Sequence, residues 1–424
     1  MILVVYLSSI DRPHAAHPSR RRSLFLVSGN VFALGAVSLI TDISSEMVTA
    51  VLPVYLMIGL HLSPAVYGVV DGTYTGATAL LRLVGGYVAD RTRRRKFIAG
   101  LGYGFSAVAK LGLPAAGNAV GVIGAVIAID RTGKGLRTAP RDALITLSTP
   151  PQLYGRAFGV HRMMDTVGAF AGPLVALGIL AATAQAYDAV FVASFCIAAF
   201  GVLVLVLFVR DRGGEQPSKG TVALSSLGGL LRIAPVRRLV LAACLAGMVT
   251  IGDGFVYLLL QRREDLSVGW FPLLAVGTNL SYLLLATPLG VLADKIGRQK
   301  VVLAGYTALM LVYLLLFGPF GGWPLLVVVL ALYGLFYAST DGVLIALAGP
   351  VLPTGVRTTG IALIQTGQAM AYLVSSVLFG LAWTVWGPAS AIRIAAVLVA
   401  VAVFAVALLL RGIPSTDADE EEPA

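Results

Sequence analysis

The chain has 424 residues, of which 58% are hydrophobic and 12% are charged, whereas a soluble domain carries about 25% charged residues. This balance excludes an ordinary soluble protein, and the recurrence of apolar runs long enough to cross a ~30 Å hydrocarbon layer indicates a membrane protein. The net charge of +10 does not indicate nucleic-acid binding, because Lys and Arg lie mostly in short segments between apolar runs and form no basic patch.

The apolar runs predict twelve transmembrane helices in two bundles of six, preceded by a cytoplasmic arm over residues 1–27. In the first bundle, residues 28–209, helices are predicted at 28–58, 65–89, 96–115, 119–147, 156–183 and 188–209. A polar cytoplasmic linker, residues 210–236, leads to the second bundle, residues 237–411. Its helices are predicted at 238–261, 269–293, 300–318, 323–349, 357–385 and 389–411. The acidic tail, residues 412–424, is predicted to be disordered.

The distribution of positive charge predicts the topology, because Lys and Arg accumulate in short loops that stay in the cytoplasm. Basic clusters at residues 91–96 and 295–300 fall on one side of the predicted membrane. The opposite loops hold one basic pair, Arg262 and Arg263, which two acidic residues follow. We therefore expect a multi-pass protein of the cytoplasmic (inner) membrane with both termini in the cytoplasm.

An internal repeat divides the chain into similar halves. GYVADRTRRRK, which starts at Gly86, matches GVLADKIGRQK, which starts at Gly290, with Gly, Ala-Asp, a basic residue and a final Arg-x-Lys in register. Both copies run in the same membrane direction, as expected for halves related by an axis along the membrane normal.

These copies resemble the loop motif GxxxD(R/K)xGRxK of the major facilitator superfamily, and the resemblance covers residues 28–411. It implies an all-α membrane fold of two pseudo-symmetric six-helix bundles. It also implies a gating role at the cytoplasmic ends for the motif residues Gly86, Asp90, Arg91, Arg94, Gly290, Asp294, Lys295 and Arg298. Arg93 departs from the pattern because it stands where the motif usually has Gly. TDISSEM at 41–47 and DRTGKGLRTAPRDALI at 130–145 resemble a largely uncharacterised microbial branch in which nickel-resistance exporters have been placed.

Five carboxylates lie inside predicted helices. A charge near the centre of a membrane helix costs about 2.5–3.5 kcal/mol on insertion scales, so such a charge usually pairs or lines a cavity. Asp42 and Glu46 share one face of helix 1, Asp71 lies in helix 2, Asp253 in helix 7, and Asp341 midway along helix 10. We predict these five residues to be the proton carriers.

Helix 4 concentrates positive charge, since Arg131, Lys134, Arg137 and Arg141 recur at three- and four-residue spacing. Arg131 and Gly135 also resemble the RxxxG pattern that the superfamily associates with proton transfer. We predict that these residues contribute to the substrate cavity, and the alternative is a structural charge network with Asp42, Glu46 and Asp165. The predicted substrate-cavity residues are Asn30, Arg131, Lys134, Arg137, Asp165, Tyr257, Gln365 and Gln368. The uncharged members of this set have the alternative role of bonding neighbouring helices.

The residues and the resemblance together predict a secondary active transporter with rocker-switch alternating access, which exports a small molecule in exchange for protons. In this interpretation Asp42 and Glu46 carry protons and Arg131 is their partner. GAFAGP at 168–173 favours export because it resembles the GxxxGP segment of antiporter-type members. Two alternatives stay open: a divalent-metal (nickel-like) exporter, and a proton-coupled importer of an anionic metabolite, which the helix 4 cations favour.

No enzymatic chemistry is predicted, because the sequence has no HExxH, GxSxG or Walker-type segment. No cofactor or resident metal is predicted either, since Cys196 and Cys244 lie in apolar runs without CxxC spacing or a nearby His. The expected partners are the lipid bilayer, a small-molecule substrate and protons, without nucleic acid, and we expect a monomer.

Overall fold

The computed structural model describes residues 28–92, 94–211, 229–341, 343, 347–348, 351–352 and 357–411, and gives only the backbone of residues 82–92, 151 and 357–359. Within these residues the chain forms twelve long helices and no strand. The first six are α1 (Gly29–Val54), α2 (Pro64–Thr92), α3 (Arg95–Ala116), α4 (Val120–Leu147), α5 (Tyr154–Ala182) and α6 (Tyr187–Phe208). The second six are α7, in the segments α7a (Ala234–Val249) and α7b (Asp253–Arg263), α8 (Phe271–Ile296), α9 (Arg298–Phe317), α10 (Trp323–Thr340), α11 (Arg357–Trp386) and α12 (Pro388–Leu410).

The helices have the composition of membrane spans. Ten of them, within the described part of the chain, are long and apolar enough to cross a membrane, and large apolar side chains such as Phe200, Leu207 and Phe404 are exposed on their outer faces. The other two, α2 and α4, carry charged residues within their spans, among them Asp71 on α2 and Arg131 on α4. The prediction of an all-α, twelve-helix membrane protein is thus confirmed.

The predicted segments outside the helices are described only in part. The arm 1–27, the tail 412–424 and most of the linker lie outside the described residues. Because α7a begins at Ala234, the last residues assigned to the linker, 234–236, are helical instead.

Helix 7 is broken, although a continuous helix is predicted over 238–261. α7a ends at Val249 and α7b begins at Asp253. The hydroxyl of Tyr313 on α9 compensates for the break: the Ile251 N–H donates to it at 3.0 Å, and it donates to the Val249 carbonyl at 3.2 Å. Because a buried backbone group without a partner is costly, this tyrosine stabilises the interrupted backbone.

Helix 10 is interrupted within the predicted span 323–349. α10 stops at Thr340, Asp341 follows with an extended backbone, and the described residues 343, 347, 348 and 351 are helical again. The prediction that Asp341 lies midway along a continuous helix is therefore wrong, because the residue caps α10 at the interruption.

Small residues allow close packing inside each half. Gly168 on α5 lies against the Leu39 carbonyl of α1, and an ideal Cβ atom at position 168 would come within 2.5 Å of that oxygen. Gly102 on α3 and Gly133 on α4 pack against each other's backbone in the same way, and Gly334 on α10 packs against α8. The helix pairs of each half therefore approach at backbone distance.

Glycine contacts bring the two halves together at one end of the bundle. We call the end that carries residues 86–96 and 290–300 the motif end, and the opposite end the far end. Toward the far end, Gly68 and Gly72 of α2 pack against the Ser376 and Leu373 carbonyls of α11, and Gly380 packs against the Pro64 carbonyl. The structure is therefore closed at the far end.

Candidate substrate cavity and charge network

A cavity of about 580 Å³ lies between the halves, a volume typical of small-molecule sites. Its walls come from α1, α2, α7, α8, α9, α10 and α11, so both halves contribute. Its principal polar and aromatic lining residues are Glu46, Tyr67, Asp71, Tyr74, Asp253, Tyr257, Phe271, Asn279, Tyr306, Phe336, Tyr337, Asp341, Gln365, Gln368 and Tyr372. Four of these are carboxylates, six are tyrosines, and no Lys, Arg or His lines this cavity among the described residues.

Glu46 presents a carboxylate to the cavity from α1. Its Cβ atom packs against Gly172 of α5: a Cβ atom added at position 172 would come within 2.7 Å of the Glu46 Cβ atom. In the described part of the chain the carboxylate has no hydrogen-bond or ion-pair partner. The charges that attract it most strongly are Lys134 and Arg131, and Asp253 of the other half repels it. Among the described residues no hydrogen bond or ion pair therefore fixes the Glu46 carboxylate at the cavity wall.

Asp253 is the first residue of α7b, directly after the break in helix 7. Its Oδ1 atom accepts hydrogen bonds from the hydroxyls of Tyr333, at 2.8 Å, and Tyr337. A carboxylate at the amino-terminal end of a helix is also favoured by the helix dipole. These three interactions hold Asp253 in one position at the cavity wall.

Asp71 on α2 binds the opposite half. Its Oδ2 atom accepts hydrogen bonds from the Tyr372 hydroxyl at 2.9 Å and from the Ser376 hydroxyl at 2.7 Å, both on α11. Its carboxylate also lies directly against Gly252 in the break of helix 7. Asp71 therefore joins α2 to two elements of the second half.

A second cavity of about 300 Å³ shares Asp253, Asn279, Tyr337 and Asp341 with the first. Arg162 on α5 lies in it, 3.7 Å from Asp341 and 3.7 Å from Asp165.

The side chains of Arg162 and Asp341 are 67% and 50% exposed. Both residues lie toward the motif end, so the pair of cavities opens at that end while the far end is closed.

The charges of α4 form pairs behind the cavity. Arg131 is 2% exposed and makes an ion pair with Asp130 beside it. Lys110 of α3 lies 3.5 Å from the same carboxylate, which also accepts from the Ser106 hydroxyl at 2.5 Å. The Arg131 guanidinium lies 3.4 Å from the centre of the Tyr74 ring, and Tyr74 lines the cavity. This tyrosine therefore stands between the Arg131 charge and the cavity.

Asp42 belongs to the same buried region and lines neither cavity in the described residues. Arg137 lies 3.6 Å from its Oδ1 atom, and the carboxyl group of Asp165 on α5 lies beside its own. On α4, Arg141 pairs with Asp142 at 2.9 Å.

Several sequence predictions are corrected by these positions. Asn30 does not line the cavity, because its amide donates to Ser148 Oγ at 2.7 Å and to the Arg210 carbonyl at 3.2 Å near the motif end. Arg131 and Arg137 are buried in ion pairs and do not line it either, and Arg131 pairs with Asp130 and not with Asp42 or Glu46.

The other predicted residues divide between the two cavities and the interior. Lys134 acts electrostatically on Glu46 and Asp42 but is absent from the described lining. Asp165 lines the second cavity. The main cavity contains Glu46, Asp71, Asp253, Tyr257, Asp341, Gln365 and Gln368.

The second motif copy has a local structure that its sequence explains. Asp294 accepts from Arg298 at 3.1 Å across the turn between α8 and α9, and Gly297 in that turn has φ +97°, a conformation that favours glycine. Gly290 and Lys295 lie on α8. In the first copy Arg94 is exposed before α3, whereas the side chains of Asp90 and Arg91 and the surroundings of Gly86 lie outside the described residues.

Sequence reasoning missed Lys110 and most of the cavity tyrosines. Lys110 is a single charge inside the apolar run FSAVAKLGLP, which is a signal of a buried partner. Tyr67 and Tyr74 of α2, Tyr306 of α9 and Tyr337 of α10 come together only when three helices pack.

Comparisons with known proteins agree with this architecture. A family model described as Major Facilitator Superfamily matches residues 34–277 and 259–424. An uncharacterized MFS-type transporter of Methanocaldococcus jannaschii is 30% identical over 369 residues, which are 85% of this chain and 89% of that protein.

Among solved structures, the nucleoside transporter NupG superposes with a TM-score of 0.78 at 15% identity, over 90% of this chain and 99% of that one. A peptide transporter POT in complex with sulfate superposes with a TM-score of 0.73 at 18% identity, over 96% and 97% of the two chains. At such identities these likenesses show the fold alone.

Proposed function

The chain belongs to the major facilitator superfamily of membrane transporters, and on that premise we propose that it exports a small molecule across the cytoplasmic membrane in exchange for protons. The observation that carries this proposal is Glu46, an acid without a partner in the described residues, at the wall of a cavity between the halves. Such a group binds a proton in one state and releases it in the other. The chain is then a secondary transporter and not an enzyme.

The two ends of the bundle support alternating access. The far end is closed by α2 against α11, and the cavities reach exposed side chains toward the motif end. If the motif end is cytoplasmic, as the basic loops indicate, this conformation faces inward. Rocking of one half against the other then closes the motif end and opens the far end.

Protonation of Glu46 is the proposed coupling step. An isolated carboxylate at membrane depth is costly as an anion, and Asp253 repels it across the cavity. Binding a proton removes both penalties and lets the halves approach. In the inward-facing state the cavities reach exposed side chains at the motif end, so in this proposal the proton leaves Glu46 for the cytoplasm there and the carboxylate accepts the substrate.

The Asp42–Asp165 pair is a second proton-binding position in this proposal. We propose that the two carboxyl groups share a proton between α1, which also carries Glu46, and α5, which contacts the second half through Arg162. Loss of that proton leaves two carboxylates against Arg137. Movement of α1 relative to α5 would follow, which connects the charge on the pair to the position of Glu46.

Proton-coupled export is testable with purified protein in liposomes that contain a pH-sensitive dye. Organic cations, organic anions, neutral solutes and Ni²⁺ are added in turn, and substrate-triggered proton movement is recorded. Glu46→Gln should abolish that movement while the protein still inserts, whereas Asp188→Asn, which removes an exposed carboxylate at the start of α6, should retain it. Unchanged proton movement in Glu46→Gln would remove Glu46 from the mechanism.

The two other candidate functions have less support. A divalent-metal exporter needs several converging ligands, and no three His, Cys, Asp or Glu side chains of the described residues come together as a metal site. Uptake of an anion requires positive charge at the cavity wall, whereas Arg131 and Arg137 are paired behind it.

A further inference from the structure

We propose that the substrate is an organic monocation with an apolar or aromatic body, and that its positive group binds between Glu46 and Asp253. This inference rests on the proposed transport function and names the chemical class of its substrate. Three features of the main cavity between the halves support the inference: the charge of its wall, its aromatic lining, and the presence of these two acids on opposite halves.

The charge of the wall is one-sided. Glu46, Asp71, Asp253 and Asp341 contribute carboxylates to the cavity, and no Lys, Arg or His of the described residues lines it. Asp71 is occupied by Tyr372 and Ser376 in holding the halves together. A solute that enters this space therefore meets negative charge in a medium that screens it weakly, which favours a cation and excludes an anion.

The nearest cations attract Glu46 but lie outside the wall of the main cavity. Lys134 acts on the Glu46 carboxylate and is absent from the described lining. Arg131 is paired with Asp130 and separated from the cavity by the Tyr74 ring. Arg162, in the adjoining second cavity, is offset by Asp165 and Asp341, each at 3.7 Å. Among the described residues the wall itself therefore carries acidic side chains without basic ones.

The aromatic lining indicates the rest of the ligand. Tyr257, Tyr337, Phe271 and Phe336 surround the side of the cavity that holds Asp253. The negative face of an aromatic ring attracts ammonium groups, most strongly where water is excluded, and the same rings bury an apolar body. A hard divalent ion binds through six or more oxygen ligands and would make no use of these aromatic rings. The lining therefore favours an organic cation.

Glu46 and Asp253 come from different halves and repel each other. Tyr257 interacts electrostatically with both carboxylates, so the three side chains define one region of the cavity. Asp253 is fixed by two phenol donors, whereas Glu46 has no partner in the described residues.

A cation between the acids neutralises the repulsion, and Glu46 then exchanges one ligand for another. The proton leaves Glu46 for the cytoplasm, the organic cation takes its place, and each cation exported returns at least one proton. Substrate and proton therefore compete directly for Glu46.

Two probes of matched shape and opposite charge test the inference. Tetraphenylphosphonium and tetraphenylborate are titrated against the full-length protein in detergent by calorimetry, without a proton gradient. Empty micelles are the blank, and ethidium and Ni²⁺ serve as additional probes. We expect saturable binding of at least one organic cation and none of tetraphenylborate or Ni²⁺. Glu46→Gln and Asp253→Asn should each weaken cation binding at least tenfold, while Glu46→Asp and the exposed Asp188→Asn should keep it within about threefold.

Tyr257 gives an independent arm, because Tyr257→Leu removes the ring and Tyr257→Phe retains it. The leucine variant should weaken cation binding about three- to tenfold and the phenylalanine variant should not. Each variant is compared only if it elutes as a single species from size exclusion. Tighter binding of the anion than of the cation, failure of both organic cations to bind wild type, or equal binding to Glu46→Gln and Asp188→Asn would overturn the inference.

The same protein separates this inference from the proposed function. Cation binding in detergent together with silent dye-loaded liposomes would contradict proton coupling and leave the substrate class standing. Proton movement triggered by an anion, without cation binding, would support proton coupling and overturn the proposed substrate class.

Discussion

The far-end closure depends on two hydrogen bonds that can be removed one at a time. Asp71 of α2 accepts from Tyr372 and Ser376 of α11, and both bonds must break when the halves separate at the far end. A hydrogen bond to a charged group contributes about 1.5–3 kcal/mol, and each 1.4 kcal/mol is about a tenfold change in an equilibrium constant. Ser376→Ala should therefore lower the ratio of far-end-closed to far-end-open protein by roughly ten- to a hundredfold.

A crosslink across the closed interface measures this shift. The Ala65 N–H donates to the Thr384 hydroxyl at 3.0 Å, so cysteines at these two positions lie close together when the far end is closed. In a background where Cys196 and Cys244 are serine, oxidative crosslinking between positions 65 and 384 should be fast in the parent and slower in Ser376→Ala. Tyr372→Phe, which removes the second donor, should have an effect in the same direction.

The neighbouring Ser375 is the matched control. Its side chain is also buried, and it makes no hydrogen bond to α2 among the described residues. Ser375→Ala should leave the crosslinking rate unchanged. Equal rates in Ser375→Ala, Ser376→Ala and the parent would refute the reasoning, since the bonds to Asp71 would then contribute nothing to closure.

Two further predictions concern stability, measured as thermal unfolding in detergent. Gly168→Ala should destabilise the protein by about 1–3 kcal/mol, because the new Cβ meets the Leu39 carbonyl at 2.5 Å. Gly178→Ala on the same helix meets no atom within 4 Å and should be neutral or slightly stabilising. Equal melting temperatures of the two variants would contradict the packing argument. Asp130→Ala should lower the free energy of unfolding by about 3–5 kcal/mol, since it leaves Lys110 and Arg131 buried without their shared carboxylate. A melting temperature equal to the parent's would show that the two buried cations do not depend on this carboxylate.

The helices could be predicted from the sequence because each is a long apolar run, and apolar length is what a bilayer selects. The break in helix 7 could not be predicted in that way. It depends on the Tyr313 hydroxyl, which belongs to α9 and bridges Ile251 and Val249 only after the helices pack. The interruption of helix 10 after Thr340 likewise falls inside a run that is mostly apolar on both sides.

Charge pairing was the weakest part of the sequence reasoning. Helical periodicity directs attention to residues three and four apart, since adjacent residues do not normally face each other. Arg131 nevertheless pairs with Asp130 beside it, because Lys110 and Ser106 from α3 hold that carboxylate in place. Glu46 and Asp253 illustrate the same limit, because their opposition across the cavity depends on how two separate bundles dock.

The glycines between α2 and α11 affect how easily the far end opens. Gly68, Gly72 and Gly380 place backbone against backbone, so the glycines themselves cover little apolar side-chain surface. Hydrophobic stabilisation scales with the apolar area removed from water, at about 25 cal/mol per Å². The resistance to opening therefore comes from the rings beside them, where Tyr67 of α2 packs edge to face on Phe255 of α7b and Phe255 packs on Phe379 of α11. A proton or a bound solute offsets that resistance through its differential affinity for the two conformations.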